Sequence, residues 1–130
     1  MKKFLFISGV MAGGTAVILG AFGAHALKNT IGPEDMKIFE KAVHYQMYHA
    51  LALLLSGILS GYGHPKTTGY AGIFFLAGIL LFSGSLYLWA IRQPAGIENI
   101  AIIKYLPPFG GFSYIAGWTL LLISFIKKPL

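Results

Sequence analysis

Apolar residues in this chain come in long blocks, and the charges sit between the blocks. Four stretches, 4–27, 42–65, 67–91 and 105–126, contain no Asp, Glu, Lys or Arg, and each holds 22 to 25 residues. About 20 apolar residues wound as a helix cross the ~30 Å hydrocarbon layer of a bilayer. Each block therefore predicts one spanning helix, at about 4–27, 34–62, 67–91 and 108–127. Four such helices fill the chain, so the expected architecture is all-α: a single integral membrane domain over 1–130, built as an antiparallel four-transmembrane-helix bundle.

The faces of these helices can be read at 100° per residue. In the first, Gly9, Gly13, Ala16, Gly20, Gly23 and Ala24 fall in one narrow arc. A face without bulk lets a second backbone approach, which is how helices associate where lipid removes the hydrophobic drive. Gly57 and Gly61 repeat the spacing in the second helix, and Ser113 and Gly117 in the fourth. The second helix is expected to begin outside the membrane. Pro33 suits a first helical turn, Glu34 and Asp35 complement its dipole, and Met36, Phe39 and Val43 recur at helical spacing. From there Lys41, Tyr45, Tyr48, His49, Ala52, Ser56 and Ser60 form a stripe expected to face inward, with His44 and Gln46 at its flanks. Met47, Leu51, Leu54 and Ile58 occupy the opposite face.

Composition agrees with burial in lipid: 56% of residues are hydrophobic and 11% charged, against roughly 25% charged in soluble domains. The net charge of +6 includes no basic run longer than two residues, which fits lysines flanking a membrane and not nucleic-acid binding. Absence of cysteine excludes thiol–disulfide chemistry and thiolate metal sites. Lys2-Lys3, an apolar run and Ala24-His25-Ala26 imitate a secretory signal. The apolar run exceeds the usual 7–15 residues of a cleaved signal, so a retained helix is expected.

An even number of spans puts both termini on one side, with Lys2, Lys3, Lys66, Lys127 and Lys128. The other side carries Lys28, Lys37, Lys41, Arg92 and Lys104, together with Glu34, Asp35, Glu40 and Glu98. Basic residues tie at five each. Since the first helix usually dominates, Lys2-Lys3 favours cytoplasmic termini. A weak internal repeat, offset by 64 residues, aligns 26–34 with 90–98 and Gly20 with Gly84, which raises the possibility of two parallel-repeated hairpins.

The segments GAFGAHALK (20–28), FEKAVHYQMYHALALL (39–54), LFSGSLYL (81–88) and PFGGFSYIAGW (108–118) resemble the YgdD/YwdK-like family of small four-span inner-membrane proteins. The likeness covers essentially the whole chain. It implies the fold and a place in the bacterial cytoplasmic membrane; because the family is a domain of unknown function, it implies no site residues. All four segments lie at helix ends on the side away from the termini. His25, Tyr45, Tyr48, His49, Tyr87 and Arg92 are thereby expected to converge on a shallow polar pocket, since intramembrane ionisable groups default to function.

Specific chemistries fit poorly. His44 and His49 are five apart, about 140° around a helix, and chelate together badly, so no metal or other cofactor is expected. All four acids lie in loops, against the carboxylate of a proton-coupled exporter, and none stands near a histidine within a span, against a hydrolase. The expectation is a non-enzymatic membrane or interaction protein whose partners are the lipid bilayer and a second copy or another membrane protein. The alternative is a small-solute carrier or channel using the His/Tyr/Arg vestibule.

Overall fold

The computed structural model describes residues 1–97 and 99–127; Glu98, Lys128 and Leu130 of the sequence arguments lie outside them. Among the described residues every regular element is helical. Four long helices are present: α1 (Lys2–Leu27), α2 (Pro33–Leu59), α3 (Pro65–Ala90) and α4 (Leu106–Lys127). A short 3₁₀ segment, Ala101–Tyr105, leads into α4.

Prolines set two of the starts. Pro33 and Pro65 stand in the first turns of α2 and α3, after Gly32 and His64 in extended conformation, where a missing N–H is harmless. Glu34 and Asp35 lie in the first turn of α2 as the dipole favours, and Glu34 pairs with Lys37 at 2.9 Å. After α3 the chain turns at Gly96, whose φ of +65° is the left-handed conformation that glycine adopts freely.

Helices α1 and α3 are not uniform. Each carries a five-residue π segment, Leu19–Gly23 and Ile79–Ser83, between α-helical stretches. A π segment admits one extra residue and turns the remainder of the helix relative to the part before it. Along the small-residue arc of α1, Gly9, Ala12 and Ala16 are buried, whereas Gly13 before the π segment, Gly20 and Gly23 within it and Ala24 after it are half-buried.

Three helical stretches are long and apolar enough to cross a membrane: Lys2–Leu27, Pro65–Ala90 and Ala101–Lys127. Sequence blocks had suggested four. The exception is α2, whose outer turns carry Glu34, Asp35, Lys37, Glu40 and Lys41 and whose middle holds His44, Gln46 and His49. Yet α2 is the helix that packs against most of the others, with contacts of equal extent to α1 and α3. The most extensive contact joins α3 to α4, while α1 and α3 touch only sparsely. The core is Leu5, Ala12, Ala50, Leu53, Ala71, Phe75, Ile79, Tyr114 and Leu121 with their neighbours.

Close approaches fix the pairing. A methyl added at Gly9 would come within 2.8 Å of Leu54, one at Gly20 within 3.1 Å of Val43, and one at Gly23 within 2.7 Å of Phe39. Gly13 faces Ala50 with ordinary room, 3.8 Å. Gly57 receives Phe6 at 3.2 Å, and Gly117 receives Phe75 at 2.6 Å. Gly61 lies past the end of α2, where an added methyl would meet only the Ile58 carbonyl at 3.9 Å. It belongs to a turn and not to the packing surface its spacing suggested.

Candidate functional site

The inward face of α2 is Phe39, Ala42, Gln46, His49, Ala50, Leu53, Ser56 and Gly57, together with Ala52. It is rotated from the expected stripe. Lys41, Tyr45 and Tyr48 are exposed, and Gln46 and His49 are the polar groups enclosed by neighbouring helices. The rotation has a simple cause: tyrosine is amphipathic, and at a helix surface its ring can rest against apolar surroundings while its hydroxyl reaches toward the interface. A buried amide has no such freedom and must find partners.

Gln46 finds three. Its Nε2 donates to Ala12 O at 2.9 Å and to Thr15 Oγ1 at 2.8 Å, both on α1, and its Oε1 accepts from Tyr87 Oη of α3 at 2.8 Å. One side chain of α2 thus ties α1 to α3 exactly where those two helices have little direct contact. Four residues along, Ala42 O accepts from Ser83 Oγ at 2.8 Å and repeats the α2–α3 link.

His49 is held as firmly. Its Nδ1 lies 2.8 Å from Tyr45 O and its Nε2 3.3 Å from Trp118 Nε1. A carbonyl only accepts and an indole N–H only donates, so Nδ1 carries the proton and Nε2 accepts. The ring stacks on Tyr114, with centroids 3.4 Å apart and planes 9° from parallel, and meets the rings of Phe75 and Trp118 at 5.7 and 6.2 Å. The Tyr114 hydroxyl is buried and directed toward Ser83, but falls short of hydrogen-bond geometry with any described residue.

The six residues expected to share a pocket are distributed otherwise. His25 and Tyr48 are exposed, and Tyr45 leans on Phe82 at 4.6 Å with its surface partly open. Tyr87 joins Gln46. Arg92 donates to Asp35 Oδ1 at 2.8 Å and to Trp89 O at 2.6 Å, with its guanidinium 4.3 Å above the Trp89 ring. This clasp ties the end of α3 to the start of α2. Of four surface clefts, one includes Tyr87 and another Arg92, and none joins two of the six. Among the described residues no group of three His, Cys, Asp or Glu is placed to hold a metal ion.

Sequence reasoning placed Gln46 at the flank of the stripe and left Asp35 and Trp118 without partners. An amide inside a charge-free block was itself the signal for Gln46. The four family-like segments do meet one another: Phe39 fills the space at Gly23, Ser83 bonds Ala42, and Phe82 lies against Gly110.

Comparison with known proteins identifies the family. Residues 19–111 match the family described as "Protein of unknown function (DUF423)". The chain is similar to a "UPF0382 membrane protein" of Staphylococcus haemolyticus, 40% identical over 98% of both chains. It is 37% identical to the "UPF0382 membrane protein YwdK" of Bacillus subtilis, again over 98% of both. The "UPF0382 inner membrane protein YgdD" of Escherichia coli is 33% identical over 97% of this chain and 92% of its own. No solved structure matches.

Proposed function

The chain belongs to the DUF423 family of membrane proteins, and from that premise we propose that it acts without catalysis, as a four-span antiparallel bundle that binds lipid and protein neighbours in the cytoplasmic membrane. The carrying observation is the hydrogen bonding of α2. Every donor on Gln46 and both ring nitrogens of His49 are engaged by backbone or side chains, and through Ala12, Thr15 and Trp118 these groups hold helices together. Contacts of Gly9 with Leu54 and Gly23 with Phe39, and of Gly117 with Phe75 and Gly110 with Phe82, support opposite directions within the α1–α2 and α3–α4 pairs. The polar middle of α2 is compatible with a fourth span because its amide and imidazole face protein and not lipid. Exposed apolar residues such as Val10, Phe22, Leu80 and Phe112 are the surface offered to lipid, to a second copy or to another membrane protein.

The reading places both termini in the cytoplasm. A folding reporter fused at Leu130 is expected to be active inside the cell, and a cysteine introduced in the 28–35 loop to label from outside; the reverse pattern inverts the topology. Purified chain in sealed vesicles tests the function itself. Release of small polar or anionic solutes should equal that of empty vesicles, and His49→Gln should leave it unchanged, at a stability cost of about 1 kcal/mol. Release that exceeds the empty-vesicle rate and falls in His49→Gln would establish the solute-carrier reading in its place.

A further inference from the structure

Three acids lie among the described residues, and two of them are paired. Glu34 meets Lys37 and Asp35 meets Arg92, whereas Glu40 forms no ion pair among the described residues, and neither does the adjacent Lys41. The two cannot pair with each other, because neighbours along a helix point about 100° apart. They also stand where a free charge is costly. At ~1.5 Å per residue, Glu40 and Lys41 lie about 8–9 Å along α2 from the Asp35–Arg92 clasp. At that level Phe39 packs on Gly23 and Ala42 accepts from Ser83, so the adjoining parts of α1 and α3 belong to the charge-free stretches 4–27 and 67–91. In the spanning arrangement proposed above, an outward charge there meets the lipid boundary and not open water.

Both charges border one exposed stripe of α2. Lys41, His44, Tyr48, Leu51, Leu55 and Ile58 recur at alternating steps of three and four, and every one is exposed. That spacing is the seam along which two parallel helices wind about each other. A lipid-facing side has the same spacing but no use for ions, so the charges decide what covers it. At 100° per residue, Glu40 lies about 40° to one side of His44 and Lys41 about 60° to the other. A twofold axis along the membrane normal, passing His44, therefore sets Glu40 of each copy against Lys41 of the other. Two ion pairs form and no charge is left over. A copy inserted upside down would set the same charges against the apolar far end of the stripe. A groove of about 310 Å³ beside Glu40, between Gly20 and Ala24 of α1 and Phe39, Val43 and His44 of α2, gives the incoming lysine room.

We propose that the exposed stripe of α2 is a homodimer interface, at which two parallel copies join through reciprocal Glu40–Lys41 ion pairs. The inference rests on the spanning reading above, with all copies in one orientation, but not on the absence of transport. The topology and solute-release measurements test those points independently, so the readings fail separately. The chain has no cysteine, so a single introduced one reports only its own position. In membranes of cells expressing the chain, oxidation should join Leu51→Cys or Leu55→Cys copies into disulfide dimers. Ile115→Cys, at a position of α4 more exposed than either, should stay monomeric. In the Leu51→Cys background, Glu40→Lys or Lys41→Glu sets like charges face to face and should cut the dimer yield about tenfold. The two reversals together restore opposite charges and should restore the yield, a recovery that damage to the fold would not show. A yield indifferent to the single reversals, no recovery in the double, or equal crosslinking at Ile115→Cys would overturn the proposal. So would a Leu51→Cys product containing a different protein. A mixed disulfide between His44→Cys and Ile58→Cys chains made together, sites about 21 Å apart in a parallel pair, would also overturn it by showing antiparallel copies.

Discussion

The α1–α2 contact and the α3–α4 contact are of similar extent but follow opposite plans. In the first, the small residues lie mostly on one helix. Gly9, Gly13, Gly20 and Gly23 of α1 receive Leu54, Ala50, Val43 and Phe39 of α2, and only Gly57 with Phe6 reverses the roles. In the second, both helices give and receive: Gly78 of α3 takes Tyr114, while Gly110 and Gly117 of α4 take Phe82 and Phe75. The polar links differ as well. A single amide, Gln46, joins α1 to α2, whereas hydroxyls are scattered along α3–α4, with Thr68 and Ser124 2.6 Å apart and Ser113 donating to Phe74 O at 2.7 Å. A one-sided surface tolerates adjustment, because the side chains opposite the glycines, all but Phe39 aliphatic, can shift. A reciprocal one locks, because each aromatic ring sits in a notch the size of a missing side chain.

The largest effect should come from the locked contact. A methyl at Gly110 would collide with the backbone nitrogen and Cα of Phe82, which no rotamer change relieves. Gly110→Ala is expected to cost about 3 kcal/mol and to show as a lowered melting temperature and aggregation in detergent. An unchanged melt would remove the distinction between the two contacts. Next is Gln46→Leu, which leaves the Tyr87 hydroxyl without its acceptor and cuts the links to Ala12 and Thr15, and should cost about 2 kcal/mol. Combined with Tyr87→Phe, its effect should be less than additive, since both changes break the same link. Thr68→Val should cost about 1 kcal/mol, with little more lost when Ser124→Ala is added. The smallest effect belongs to α1. Gly13→Ala meets only ordinary contact at Ala50 and gains helix propensity, so its stability should stay within about 0.5 kcal/mol or rise slightly. A loss there comparable to Gly110→Ala would show that α1 is locked too.

The same difference explains what could be read from the residues alone. Small side chains repeated on α1 form a visible arc, so its packing face was legible. Gly78, Gly110 and Gly117 alternate between helices with Phe75, Phe82 and Tyr114, and nothing in either helix by itself marks the notches. On α2 the error was one of rotation. Tyr45 and Tyr48 counted as polar and drew the stripe toward themselves, while Gln46, which has no apolar body to turn outward, was the better pointer to the interior. His49 was placed rightly on the inward side, but its partner Trp118 is 69 residues away and belongs to a helix whose register depends on the notches. The clasp of Arg92 and Asp35 was hidden for a similar reason: Asp35 reads as a complement to the α2 dipole and Arg92 as a pocket residue, and their pairing needs the end of α3 beside the start of α2. The π segments left no trace, because no proline interrupts either stretch.

Those two segments, Leu19–Gly23 and Ile79–Ser83, bear on how the chain can change in length. Removing a residue from a regular helix swings everything beyond it by about 100° and carries buried side chains out to the surface. A π segment already holds one residue in excess, so a deletion inside it relaxes the wide turn to an ordinary one and absorbs the change within a few positions. An insertion has no such refuge, since it must widen a turn that is already wide. The first and third helices are therefore built to be shortened by one residue at those points, and the second and fourth, with regular geometry throughout their described lengths, are not.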